Sequence, residues 1–106
     1  MTKGESLGDF EQLVMLALLR VGRGAYGMLV RREIEQHTGR EVSLGATYAT
    51  LDRLESKGLV TSTPGPSDPA RRGRAKRFFA VEPEGRRALR RSLAALDSMR
   101  AGIDEP

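Results

Sequence analysis

The chain has 106 residues, no cysteine and a formal net charge of +4, with 30% of its residues charged and 39% hydrophobic. That length supports one small domain, which buries a limited share of its surface and gains from a partner subunit. Lack of cysteine excludes a disulfide framework and a thiolate metal site; the longest apolar run, Leu13 to Leu19, is far short of the roughly 20 residues that span a bilayer. The Met-Thr-Lys-Gly start is not a signal peptide, so a soluble, cytoplasmic protein is expected.

In chain order, Asp9 is placed to cap a first helix, with Gln12 three positions on to reach back as in a capping box. Phe10, Leu13, Val14, Ala17 and Val21 recur at helical spacing, and Leu16, Leu18 and Leu19 widen the apolar surface enough for burial on two sides. Gly22 stops this helix. A second runs from about Ala25 to a cap at Gly39, with Tyr26, Leu29, Val30 and Ile34 inward and Arg31, Arg32, Glu35 and Gln36 outward. Gly22-Arg23-Gly24-Ala25-Tyr26-Gly27 spells the G-x-G-x-x-G of dinucleotide sites. That mechanism needs a strand before the loop, and the run before it is helical in period, so the match is read as accidental.

Ser43 can cap a third helix over 43–58, whose inward face is Leu44, Tyr48, Leu51, Leu54 or Glu55, and Gly58. Two helices joined by a short glycine-containing turn fit a helix-turn-helix. The opposite face of helix 3 carries Gly45, Ala46, Ala49, Asp52, Arg53 and Ser56, with Thr47 and Thr50 on the near flank. Small side chains there suit a helix pressed into the DNA major groove, where residues of the first turns meet base edges. Ser43, Ala46, Thr47, Thr50 and Arg53 are therefore candidate DNA contacts, together with the Tyr48 hydroxyl beside a phosphate, although packing is the better reading of the Tyr48 ring and capping that of Ser43.

Leu59 to Thr63 reads as a strand, and Lys76 to Val81 as its hairpin partner across a loop from Pro64 to Gly73. Between Asp68 and Arg91 nine basic residues stand against three acids, which gives this segment +6 and leaves −2 for the rest. A localised positive field suits a phosphate-facing surface, and a solvated charge run is the plain alternative. Arg71, Arg72, Arg74 and Lys76, with Arg77, lie at or near the hairpin tip, where contacts to phosphate or minor groove add affinity with little base selectivity. Arg86, Arg87, Arg90 and Arg91 fall on the solvent side of the last helix. Pro83 opens that helix, and Leu89, Leu93, Leu96 and Ile103 mark its apolar seam, too short for an independent coiled coil and so expected to pack on helix 1 or on a second copy. Leu13, Leu16, Leu89, Leu93, Leu96 and Ile103 are the candidate dimerisation residues. His37, the single histidine, has no carboxylate pair at metal-ligand spacing and reads as a surface or cap residue; no nucleophile, base and orienting group come together, so no enzyme, metal or cofactor is expected.

Helix, helix, helix, hairpin, helix is the order of a winged helix-turn-helix, an α+β fold that is mainly α. The segments Tyr26-Gly27, Ser43 to Glu55, Lys57-Gly58-Leu59-Val60, Gly73 to Phe79 and Pro83-Glu84-Gly85-Arg86-Arg87-Ala88-Leu89 together resemble the PadR-like transcriptional regulators. The resemblance runs from about Leu7 to Leu96. It implies a dimeric DNA-binding repressor with helix 3 in the major groove, the 64–77 hairpin as wing and the last helix in dimerisation. Phe78, Phe79 and Glu82 depart from the tyrosines and the threonine usual in the family at these places, and the single C-terminal helix is shorter than in some relatives. The expected organisation is a tail over 1–8, the winged domain over 9–82, a dimerisation helix over 83–103 and a tail over 104–106. Double-stranded DNA, a second copy of the chain and a small-molecule effector between helices 1 and 4 of the dimer are the expected partners. The competing reading is a winged-helix protein-interaction module, whose binding would respond weakly to salt.

Overall fold

Six elements follow one another in a computed structural model that describes residues 7–67 and 75–103. They are α1 (Asp9–Val21), α2 (Gly27–Thr38), α3 (Leu44–Ser56), β1 (Val60–Ser67), β2 (Ala75–Val81) and α4 (Pro83–Arg100). The start of α1 falls one residue earlier than its sequence suggests: Gly8 is the N-cap, and its N–H donates to Glu11 Oε1 at 2.9 Å. Gln12 instead donates from Nε2 to the Leu7 carbonyl at 2.9 Å. Leu7 is drawn into the core, and its N–H donates to Ser92 Oγ of α4 at 3.3 Å. Leu7 and Gly8, expected in a tail over 1–8, thus belong to the folded domain through the burial of Leu7 and its bond to α4, and residues 1–6 lie outside the described residues.

Gly22 and Gly39 end α1 and α2 at φ 76° and 73°, a backbone region that glycine enters without a Cβ clash. Of the residues spelling G-x-G-x-x-G, Gly22 to Tyr26 form the turn between α1 and α2 and Gly27 opens α2, with a helix rather than a strand in front of them. The core is built from Val14, Met15 and Leu18 of α1, Val30 and Ile34 of α2, Leu51 and Leu54 of α3, Phe79 of β2 and Leu89 of α4.

The strands form an antiparallel hairpin in which Val60 faces Val81, Ser62 faces Phe79 and Pro64 faces Arg77, with an irregularity between Pro64 and Ser67. β1 runs four residues beyond its predicted end at Thr63. Pro64 does not stop it because each strand of a two-stranded sheet has an open edge, where a missing N–H is tolerated. Two backbone bonds seat the hairpin: Phe79 N–H to the Ala25 carbonyl at 2.8 Å and Glu82 N–H to the Leu59 carbonyl at 2.9 Å. The last helix then starts with Pro83 in its first turn, where a missing N–H costs nothing. Ala88 and Leu89 are buried, whereas Leu96, Met99 and Ile103 are 52%, 77% and 58% exposed. Leu89 is thus used up within its own chain and corrected as a dimerisation residue, and Ile103 lies beyond the end of α4 at Arg100.

Candidate nucleic-acid interface

Ser43 Oγ accepts the Ala46 N–H at 3.0 Å, so Ser43 caps α3 as its sequence suggests. The buried stripe of α3 is Thr47, Thr50, Leu51 and Leu54, spaced three, one and three as one side of a 3.6-residue helix requires. Thr47 and Thr50 are 0% and 2% exposed, which corrects the expectation that they stand ready to touch bases. A threonine can occupy this stripe because its hydroxyl finds a partner on the helix itself: Thr47 Oγ1 donates to the Ser43 carbonyl at 2.9 Å, and Thr50 Oγ1 accepts from Arg53 Nη2 at 3.3 Å. Tyr48 is half-buried, its ring 6.3 Å from that of Phe79. A Cβ at Gly27 would lie 2.7 Å from Tyr48 Oη, so Gly27 is the seat on which this ring rests.

What α3 turns outward is Gly45, Ala46, Ala49, Asp52, Arg53 and Ser56, as the helical wheel predicts. Both flanks of this face are held by ion pairs. Glu11 Oε2 of α1 accepts from Lys57 Nζ at 2.9 Å and from Arg53 Nε at 3.3 Å, with the Glu11 side chain only 9% exposed. Burial pushes the Glu11 carboxyl up, but Lys57, the Gly8 N–H and Arg53 together outweigh it and hold the group below its ordinary value. On the other flank Arg77 of β2 reaches Asp52 and Glu55. Neither link is visible in local sequence, because its partners lie 22 to 46 positions apart.

Lys76 is half-buried, with Nζ 4.4 Å from the Tyr26 ring centroid, and Tyr26 meets Phe78 edge to face at 6.2 Å. Arg71, Arg72 and Arg74 lie outside the described residues, as does the expected tail over 104–106. Of the candidate dimerisation residues, Leu13 and Leu16 are half-buried beside Ile34 in a groove of about 190 Å³, and Leu93 is half-buried on α4. Met99 joins Leu96 on the exposed part of α4; its spacing of three from Leu96 is the signal that would have found it. A larger apolar concavity, of about 600 Å³, lies between the end of α1 and the outer side of the hairpin, lined by Leu18, Leu19, Phe78 and Val81 with Arg86 at its side. His37 Nε2 sits 2.8 Å from Glu33 Oε1 on the surface of α2. Among the described residues no helix is long and apolar enough to cross a membrane.

Three helices, a two-stranded hairpin against the third of them and a closing helix make a winged helix-turn-helix, a fold of DNA-binding and regulatory proteins. The model of the transcriptional regulator PadR-like family matches residues 15–91, and the chain belongs to this family of transcriptional regulators, which are not enzymes. It is 38% identical over 74 residues to the transcriptional regulator Rv3488 of Mycobacterium tuberculosis, an alignment that covers 70% of this chain and 64% of that protein. The chain therefore spans just under two thirds of the length of that curated relative. Among solved structures it resembles a PadR family transcriptional regulator from Eggerthella lenta at 27% identity and a TM-score of 0.70, covering 87% of this chain and 78% of the other. It also resembles the hsRosR-S4 complex structure at 28% identity and a TM-score of 0.68, covering 91% and 76% of the two chains.

Proposed function

We propose that the protein is a homodimeric, sequence-specific DNA-binding repressor that lays α3 in the major groove of an inverted repeat and rests the 64–77 hairpin on the backbone or in the minor groove. The observation that carries this reading is the outward face of α3. Gly45, Ala46 and Ala49 keep its first turns slim enough for the helix to approach base edges, and the alanine methyls suit the methyl groups of thymine. Arg53, 54% exposed while braced by Glu11, offers a charge at the far end of that face for a phosphate. Lys76 and the arginines at 71, 72 and 74 supply charge at the wing. Leu13, Leu16, Leu93, Leu96 and Met99 provide apolar surface for a second copy, and Ile103 extends it. A two-fold pairing would set the two α3 helices about one DNA turn apart, roughly 34 Å, and repression follows from occlusion of a promoter. An effector seated between α1 and α4 of the dimer would act by favouring one spacing of the two α3 helices over another.

Fluorescence anisotropy with the DNA upstream of the protein's own gene and with a scrambled duplex, across a salt series, tests this reading. Preference for the upstream duplex by at least about a thousandfold is the expected result. Equal, weak binding to both would reduce the surface to a nonspecific basic patch, and no binding at low salt would leave the protein-interaction module.

A further inference from the structure

Arg77 projects from β2 into the angle between the hairpin and α3. Its Nη1 donates to Asp52 Oδ1 at 3.1 Å, and its Nη2 donates to Glu55 Oε1 at 2.8 Å and to Ser62 Oγ at 3.3 Å. Ser62 Oγ in turn donates to Glu55 Oε2 at 2.8 Å, and the guanidinium carbon lies 4.9 Å from the centre of the Phe79 ring. One side chain so joins α3, β1 and β2. A planar fork that grips two carboxylates fixes direction as well as distance, which the single point charge of a lysine does not. An arginine at a wing is ordinarily counted as a phosphate contact, but here both terminal nitrogens are already engaged. Three of its five N–H groups are used in this way, and swinging the guanidinium out to a phosphate would weaken its hold on Asp52 and Glu55, two carboxylates beside the DNA-facing side of α3.

We infer that Arg77 is a positioning residue for DNA recognition: it locks the wing at a set angle to α3, offsets one of the two negative charges of Asp52 and Glu55, and makes no phosphate contact of its own. This rests on the DNA-binding reading above. It separates Arg77 from the cations of the wing tip, with which composition groups it, and makes base preference depend on a contact that touches no base.

The full chain is compared with its Arg77→Gln, Arg77→Lys, Glu55→Gln and Arg77→Gln/Glu55→Gln variants. Each is titrated across a salt series with a duplex that the parent chain has selected from a random-sequence library and with a scrambled duplex. The expected result is a loss of about tenfold in preference for the selected duplex in Arg77→Gln and Arg77→Lys alike, with the double variant no worse than Arg77→Gln, as for two members of one network. The slope of log affinity against log salt stays at the parent value. A slope shallower by about 0.9 on both duplexes in Arg77→Gln, restored by Arg77→Lys, would make Arg77 a phosphate contact and overturn the inference. Amide exchange at Ser62 and Phe79 reads the clamp without DNA: faster exchange in both Arg77 variants supports it, and unchanged exchange overturns it. A parent chain that selects no duplex would overturn the DNA-binding reading and the recognition role with it, while the exchange data still decide whether the clamp exists.

Discussion

Gly85 occupies the first turn of α4 where that helix comes closest to the hairpin. A Cβ there would press into the Leu59 carbonyl, a backbone group that cannot swing aside, and would stand 2.9 Å from Met15 Cε. That carbonyl already accepts the Glu82 N–H, so a displacement would disturb the junction of hairpin and helix. Gly85→Ala should lower stability by at least about 2 kcal/mol by overpacking, read as a drop in the midpoint of chemical denaturation, whereas Gly45→Ala, with open space around the added methyl, should not. Glu11 gives a prediction with a pH signature. Its carboxyl is held below the ordinary value of 4.5 by Lys57, the Gly8 N–H and Arg53 against the opposing effect of burial. A depressed carboxylate contributes stability that is fully present above the unfolded-state pKa and is lost as pH falls through the folded-state value. The parent should therefore lose stability below about pH 4.5 more steeply than Glu11→Gln, which has no charge to lose; parallel acid limbs in the two proteins would show that the bridge contributes nothing.

Among the elements, the four helices and the hairpin were legible because their signals are local: a serine cap before α3, glycines after α1 and α2, Pro83 at the start of α4 and β-branched residues in β1. What was not legible needed the third dimension. Thr47 and Thr50 are as compatible with an inner as with an outer face by composition, and only the hydroxyl bonds of each within the helix make burial acceptable. Leu89 and Leu96 share one apolar seam, yet Leu89 is 4% exposed and Leu96 52%, because α4 runs past the body of the domain after Leu93. This division separates the two halves of α4. Leu89→Ala should cost about 2–5 kcal/mol of stability as a cavity in the core. On the proposed pairing the parent should sediment as a dimer and a Leu96→Lys/Met99→Lys variant as a monomer that keeps its fold by circular dichroism, since charge on an apolar contact face is costly only when that face is covered. An unchanged dimer would remove α4 from the interface.

For the molecule as a whole, net charge overstates what a phosphate backbone can use. Arg20, Arg40, Arg53, Arg77, Arg87 and Arg100 each pair with a carboxylate of the same chain, and Lys57 is tied to Glu11. Two further groups of arginine differ in their place: Arg71, Arg72 and Arg74, which the sequence sets between β1 and β2, and Arg86, Arg90 and Arg91, which are exposed on α4. If, as proposed, α3 enters the major groove with the hairpin beside it and α4 serves dimerisation, the first group is expected at the DNA and the second in solvent away from it. Each phosphate contact removed makes the slope of log affinity against log salt shallower by about 0.9. Replacing Arg71, Arg72 and Arg74 by glutamine should therefore flatten the slope by up to about 2.7 per protomer, on specific and scrambled duplexes alike, with thermal stability unchanged. Replacing Arg86, Arg90 and Arg91 should leave the slope where it was. The reverse pattern would place the DNA across α4, and the outward alanines of α3 would then have to serve some other partner.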